Sequence, residues 1–357
     1  MIDPKETAES AGLRYVTDKI PGIRRKRRGK GFFYVDETSH AQVKDEQTLT
    51  RIKELVIPPA WENVWICKRA DAHLQVTGYD KRKRKQYRYH PKWNEERNST
   101  KFTRLSELAE SLPLLRKKLD EDLKLPGLPR EKVIAAVVKI MIMTQTRIGN
   151  ALYAEENDSY GLTTLLNDHA KVKGAKVKLS FRGKSGIDHD ISFADKKLST
   201  IISRCQHLPG EELFCFVNDD GETIDINSSH VNDYLKTVTG KDFTAKDLRT
   251  WGGTTKALGI LIEIGPCDDS HASVWKKRHA GIVKETAAEL RNTVSVCRKY
   301  YIHPVLFDAD QSGDLHLKWK NCRPSSAYSR EEKLLLLLLK DAEEKELSCR
   351  SNLSRAS

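Results

Sequence analysis

The chain has no long hydrophobic run, no paired-cysteine motif and no internal repeat, and each absence narrows what it can be. Its longest apolar blocks are six residues, among them the leucines Leu334–Leu339, flanked by charge. That is far short of the roughly 20 residues that cross a bilayer. No lipidation motif or basic amphipathic helix offers a membrane anchor instead. The opening MIDPKETAES lacks a cationic stretch leading into an apolar one, so no secretory signal is expected. The seven cysteines (Cys67, Cys205, Cys215, Cys267, Cys297, Cys322 and Cys349) are odd in number, scattered, and never spaced CxxC. Neither a disulfide framework nor a zinc ribbon is indicated, and a reducing cytoplasmic setting is the default.

What the chain has in excess is positive charge. Lys and Arg outnumber Asp and Glu by 62 to 50, giving +12 and a pI near 9.2. Residues 1–100 hold 22 basic against 14 acidic residues, so most of the surplus lies in the first third. Such a balance is the footprint of a polyanion binder, and with no membrane anchor the expected partner is nucleic acid. At 357 residues the length suggests about two domains.

The pattern changes along the chain. Residues 1–98 read as a small β-rich domain. GFFYVDE (31–37) is aromatic and β-branched, VIPPAWENVWICK (56–68) alternates through Val64 and Ile66, and HLQVTGYDKRKRKQYRYHP (73–91) gives two strands about a turn at Gly78–Lys85. NEERNST (94–100) reads as a polar linker. Residues 101–325 read as a larger, mainly α domain, and 326–357 as a C-terminal helix with a mobile tail. EKVIAAVVKIMIMTQT (131–146) is apolar nearly all round, as in a helix buried on every side. AKVKLSFRGKSGIDHDISF (175–193) alternates on both sides of Gly183–Gly186, a hairpin with a flexible tip. Helices are expected at 228–239, with Ser228 or Ser229 as N-cap, and at about 245–263 and 275–297. DADQSGD (308–314) imitates the start of a calcium loop, but its twelfth position is Trp319 rather than Glu, so it reads as a turn.

Two stretches, RRKRRGKGFFYV (24–35) and KRKRKQYRYHPKW (81–93), interleave cations with aromatics. Either alone could be a solvated charge run. Both in one small domain favour contacts to phosphates, with Lys85 and Arg88 among the cations and Gln86 able to read adenine in the major groove. VCRKYYIHP (296–304) sets two tyrosines behind Arg298 and Lys299. A phenol with a pKa of about 10 attacks a phosphodiester only with help. Cations must stabilise the phenolate and the transition state, and a donor must protonate the departing alkoxide. Arginine forks fit two phosphate oxygens at once. Arg147 (TQTRIGN) ends the most apolar helix, Arg249 (KDLRTWGG) precedes two glycines, and Lys184 rides the hairpin tip. Singly, each has an ordinary reading as a cap, a surface arginine or a turn lysine.

In order and spacing, TRIGN, FRGKSG, KDLRTWGG and RNTVSVCRKYYIHP resemble the catalytic set of type IB DNA topoisomerases, in the compact bacterial and poxvirus-like branch. VIPPAWENVWIC and HLQVTGYDKRKRKQYRYHPKW look like that branch's N-terminal domain. The likeness spans roughly residues 15–310. It implies an α+β fold of the tyrosine recombinase/type IB topoisomerase kind, forming a clamp around double-stranded DNA. It implies Tyr301 as nucleophile, Arg147 and Arg249 on the scissile phosphate, and Lys184 as general acid. Asn292 stands where poxvirus and eukaryotic relatives have histidine, nine residues before the nucleophile. Gln86, Tyr87 and Tyr89 match the groove-reading cluster. It implies a monomeric enzyme near the nucleoid that relaxes supercoils through a 3′-phosphotyrosyl link, needing no ATP, metal or other cofactor. The chain departs from the family at Arg291 and Val294, where Gly and Pro are common. A tyrosine site-specific recombinase remains the alternative, although Lys246 stands where that family carries histidine. A duplex-binding protein without catalysis is the other.

Overall fold

The computed structural model describes residues 4–355 apart from 30, 82, 268 and 270, and divides into two units, 1–102 and 103–357. After helix α1 (Pro4–Ser10), the first unit is built on one antiparallel sheet. Its strands are β1 (Ile23–Arg28), β2 (Gly31–Asp36), β3 (Glu62–Ile66), β4 (Leu74–Tyr79) and β5 (Lys85–Tyr89), in the order β2-β1-β3-β4-β5. Helix α2 (Glu46–Glu54) joins β2 to β3 and seals one face, with Ile52 packed on Ile23, Val64, Ile66 and Val76. On the other face Trp65 is buried, its indole donating to the Ile20 carbonyl at 3.0 Å. Each such side chain taken from water stabilises the unit by about 1.5–3 kcal/mol.

β1 reads IRRKRR, with none of the usual strand composition. It is a strand because it bonds to β2 on one side and β3 on the other. Part of its charge serves the fold: the Arg25 guanidinium lies 4.2 Å from the Phe32 ring and donates to the carbonyls of Ile57, Pro58 and Trp61.

The second unit starts within α3 (Pro91–Asp122), so the segment expected as a linker, 94–100, is helical. Then come α4 (Arg130–Thr144), α5 (Ala151–Asn157) and the sheet of β6 (Ala170–Lys173), β7 (Lys176–Arg182) and β8 (Asp188–Ala194). α6 (Lys196–Cys205), the hairpin β9 (Cys215–Val217) and β10 (Thr223–Asp225), α7 (Ser228–Thr239) and α8 (Ala245–Ile264) follow. The chain ends with α9 (Ala272–Glu289), α10 (Val294–Tyr300), α11 (Val305–Gln311), α12 (Asp314–Asn321) and α13 (Arg330–Arg355). α4 is the hub. Val133 to Val138, Ile140 and Met141 are all buried, and α6, α7, α8 and β9 pack round it. The leucine block of α13 joins this core through Leu334, Leu335, Leu338 and Leu339, against α8, α11 and α12. The described part of the C-terminal helix is therefore integral to the unit.

Three local readings are corrected. The α7 cap is Asn227, whose side chain accepts from the His230 N–H at 3.0 Å, rather than Ser228 or Ser229. The helix expected over 275–297 is two helices, broken at Leu290–Thr293. In DADQSGD the turn is confined to Ser312 and Gly313. Asp310 is buried, accepting from Arg278 at 2.8 and 2.9 Å and lying 3.1 Å from the His279 ring.

Candidate active site

α4 ends because Gln145 turns left-handed, at φ 55°, and closes the helix with a bond to the Met141 carbonyl. The chain leaves the core there, and Arg147, half-buried, emerges at its edge. Its guanidinium donates to two neutral acceptors, the Arg291 carbonyl at 3.4 Å and the Asn292 side-chain oxygen. Both lie in the break between α9 and α10. The break has the bonding of a Schellman cap: Arg291 N–H to Ala288 carbonyl at 3.1 Å, Asn292 N–H to Ala287 carbonyl at 2.8 Å. Its left-handed position, usually glycine, is Arg291 at φ 50°. The cap turns Asn292 inward, with Oδ1 on Arg147 and a buried Nδ2 that has no partner among the described residues.

Arg249, on α8, is 4% exposed. One guanidinium nitrogen donates to the Leu290 carbonyl at 3.2 Å, while Nε is buried without a partner among the described residues. Burial first, and Arg147 second, hold the guanidinium below its ordinary value, at about 10, with Tyr301 opposing the shift. It is still a cation at neutral pH. Its centre lies 5.1 Å from the centroid of the Tyr301 ring.

Tyr301 caps α10 and lies against α8. A Cβ on Gly253 would come within 2.8 Å of the Tyr301 carbonyl, so only glycine allows this approach. The Thr250 and Thr254 hydroxyls, one helical turn apart, lie 3.2 Å from the carbonyls of Tyr300 and Tyr301. The two tyrosines diverge. Tyr301 lines a cavity of about 370 Å³ with Arg147, Lys184, Lys246 and Arg249, whereas the Tyr300 ring has Lys246 and Lys299 at 5.6 and 5.3 Å. Lys184 reaches the cavity from the β7–β8 tip. Ile148, Gly149, Asn150, Ser159, Tyr160 and Ala245 complete the lining. Cys297 is fully buried, and desolvation pushes its thiol up to about 11, so it stays protonated.

Sequence reasoning missed Thr250 and Thr254. Their signal was present in RTWGGTT, where positions one and five after Arg249 share a helical face with Gly253. It also missed His189, buried on β8 with both ring nitrogens unpartnered among the described residues. Burial first, then Arg291, Arg147 and Arg249, depress its pKa to about 4, so the ring is neutral at pH 7.

In the first unit the five expected contact residues do not share a face. Strand alternation puts Lys85, Tyr87 and Tyr89 on one side of β5 and Gln86 and Arg88 on the other. Tyr87 is exposed and stacks with Tyr89 at 6.1 Å; Lys85 pairs with Asp18 at 2.6 Å. The Gln86 amide donates to Asp80 at 3.0 Å, and Arg88 donates to the Val56 carbonyl at 2.7 Å. Among the described residues no group of three or more His, Cys, Asp or Glu forms a metal site, and no helix is long and apolar enough to cross a membrane.

Residues 85–308 match the family model of the catalytic core of eukaryotic DNA topoisomerase I, and residues 31–80 that of the N-terminal domain of bacterial DNA topoisomerase IB. The DNA topoisomerase 1B of Acanthamoeba polyphaga mimivirus is 30% identical over 313 residues, covering 85% of this chain and 92% of that protein. The DNA topoisomerase 1B of vaccinia virus, strain Copenhagen, is 21% identical over 266 residues, 72% of this chain and 78% of that one. Among solved structures, the XerH site-specific recombinase bound to palindromic difH substrate aligns over 58% of this chain and 51% of its own. That overlap has 15% identity and a TM-score of 0.34, a slight likeness. The family matches cover most of the chain and include Arg147, Lys184, Arg249 and Tyr301 of the cavity lining, and on this footing the chain belongs to the type IB DNA topoisomerases.

Proposed function

We propose that this enzyme relaxes positive and negative supercoils by cutting and resealing one strand of duplex DNA, with Tyr301 as the nucleophile. The phenol gives its proton to water as its oxygen bonds to phosphorus, the bond to the 5′-oxygen breaks, and Lys184 protonates that oxygen. Arg147 and Arg249 hold the non-bridging oxygens, and the unpaired Nδ2 of Asn292 donates to one of them. Asn292 cannot transfer a proton, so it is a charge-stabilising group only. The cut strand turns about its partner, and the 5′-hydroxyl attacks the adduct to reseal it. One phosphoester replaces another, so bond energy is retained and no ATP is consumed. Lys85, Tyr87 and Tyr89 on one face of β5, with Gln86 and Arg88 on the other, contact the duplex.

One observation carries this reading: residues 147, 184, 249 and 301, far apart in sequence, line a single cavity. The buried orphan donors beside it, on Arg249 and Asn292, are what an entering phosphate would satisfy. Plasmid relaxation tests it, with EDTA present and ATP absent. Relaxation of both signs of supercoil is expected; retained DNA binding without relaxation would refute it.

A further inference from the structure

His189 has no part in the chemistry above, yet it is the least explicable side chain near the cavity. It is 5% exposed, and neither Nδ1 nor Nε2 has a partner among the described residues. A buried polar atom left unpaired is destabilising. Were the site only a packing position, phenylalanine would serve it better. The ring sits opposite Phe181 across the β7–β8 ladder and stacks on it at 4.7 Å. Its other edge meets the turn that carries Lys184: a Cβ on Gly183 would lie 2.5 Å from Nε2 and 2.6 Å from Cδ2. Gly183 has φ −99°, which any residue can adopt, so glycine stands there to make room for this ring.

We infer that His189 is a positioning residue for Lys184: its imidazole is the floor of the hairpin tip, and with DNA bound a ring nitrogen accepts a hydrogen bond from the tip, fixing the ammonium on the leaving 5′-oxygen. The ring does not itself touch phosphate, because the Gly183 turn covers its Nε2 edge. Neutrality suits the role. A cation here would face Arg147, Arg249 and Arg291, and would repel the ammonium it positions. An imidazole accepts a hydrogen bond in this setting where a carboxylate would pair with the arginines instead.

The inference rests on Lys184 being the general acid, and the test separates the two. A duplex is built around a cleavage site mapped for the wild-type chain, with oxygen or sulfur at the 5′-bridging position. A thiolate, with a conjugate-acid pKa of about 8.5, leaves without a proton donor. His189→Phe keeps the stacked ring and removes both nitrogens. It should slow single-turnover cleavage of the oxygen substrate by about tenfold or more, and cleave the sulfur substrate at nearly the wild-type rate. In a Lys184→Ala background it should cost less than about twofold, because the group it positions is gone. His189→Gln, which retains an acceptor, should lose less than His189→Phe, and provides the second variant if the first fails to fold. Equal losses on both substrates, equal costs in both backgrounds, or no loss would overturn the role of His189. A Lys184→Ala enzyme that sulfur does not rescue would instead remove the acid itself, and this inference with it.

Discussion

At Arg249 and Arg147 a guanidinium carries the argument because it keeps its charge where other cations lose theirs. Even with burial lowering it to about 10, Arg249 is cationic across the working range. Arg147 donates to a carbonyl and to an amide oxygen, neither of which carries a formal charge. Arg249→Ala and Arg147→Ala should each slow single-turnover cleavage by about 10²-fold or more, the usual cost of losing one donor to transition-state charge. A change under threefold would remove that residue from the site. Arg291 is a different case, since its contribution is its backbone. At φ 50° it pays about 1–2 kcal/mol of steric cost that glycine avoids, while glycine in turn loses about 0.5–1 kcal/mol of chain entropy. Arg291→Gly keeps the carbonyl that accepts from Arg147 and should raise stability by up to about 1 kcal/mol, measured as a shift in denaturant midpoint. A fall in the midpoint would show that the arginine side chain matters more than the strain.

Between elements, the critical approach is that of α8 to Tyr301. Glycine inside a helix ordinarily costs about 0.5–1 kcal/mol against alanine. At Gly253 the added methyl would meet backbone at 2.8 Å and the Leu290 side chain at 2.9 Å, so the usual sign reverses. Gly253→Ala should destabilise the protein and slow cleavage by about tenfold or more, by shifting the nucleophile. Unchanged cleavage would mean that α10 is not located by this contact. These elements were unequally legible. α4 was plain from its all-round apolar sequence, and the β7–β8 hairpin from alternation across a glycine-rich tip. The break after α9 was hidden, because the chain puts arginine rather than glycine at the left-handed position and supplies no proline at Val294. β1 was hidden too, since its six residues are mostly cations and only pairing with β2 and β3 makes them a strand. Asp310 was read as part of a turn because its partners Arg278 and His279 lie some 30 positions away. The five catalytic candidates were visible only as an ordered set, through resemblance; no one of them is distinctive by itself.

For the whole molecule the governing quantity is charge. The surplus of +12, concentrated in the first 100 residues, makes association with DNA an exchange of protein cations for counterions. Affinity for duplex DNA should fall by about 10³-fold or more between 50 and 200 mM salt, as for proteins making 6–10 phosphate contacts. A flat dependence would show that the basic residues serve the fold, as Arg25 does, and leave phosphates alone. The identity of the nucleophile can be tested head on. Trapping the enzyme on nicked or truncated duplex, digesting it and mapping the DNA-linked peptide by mass spectrometry locates the covalent bond to one residue. The bond is expected at Tyr301; a link at the adjacent Tyr300, or no link in a preparation that relaxes plasmid, would overturn that assignment.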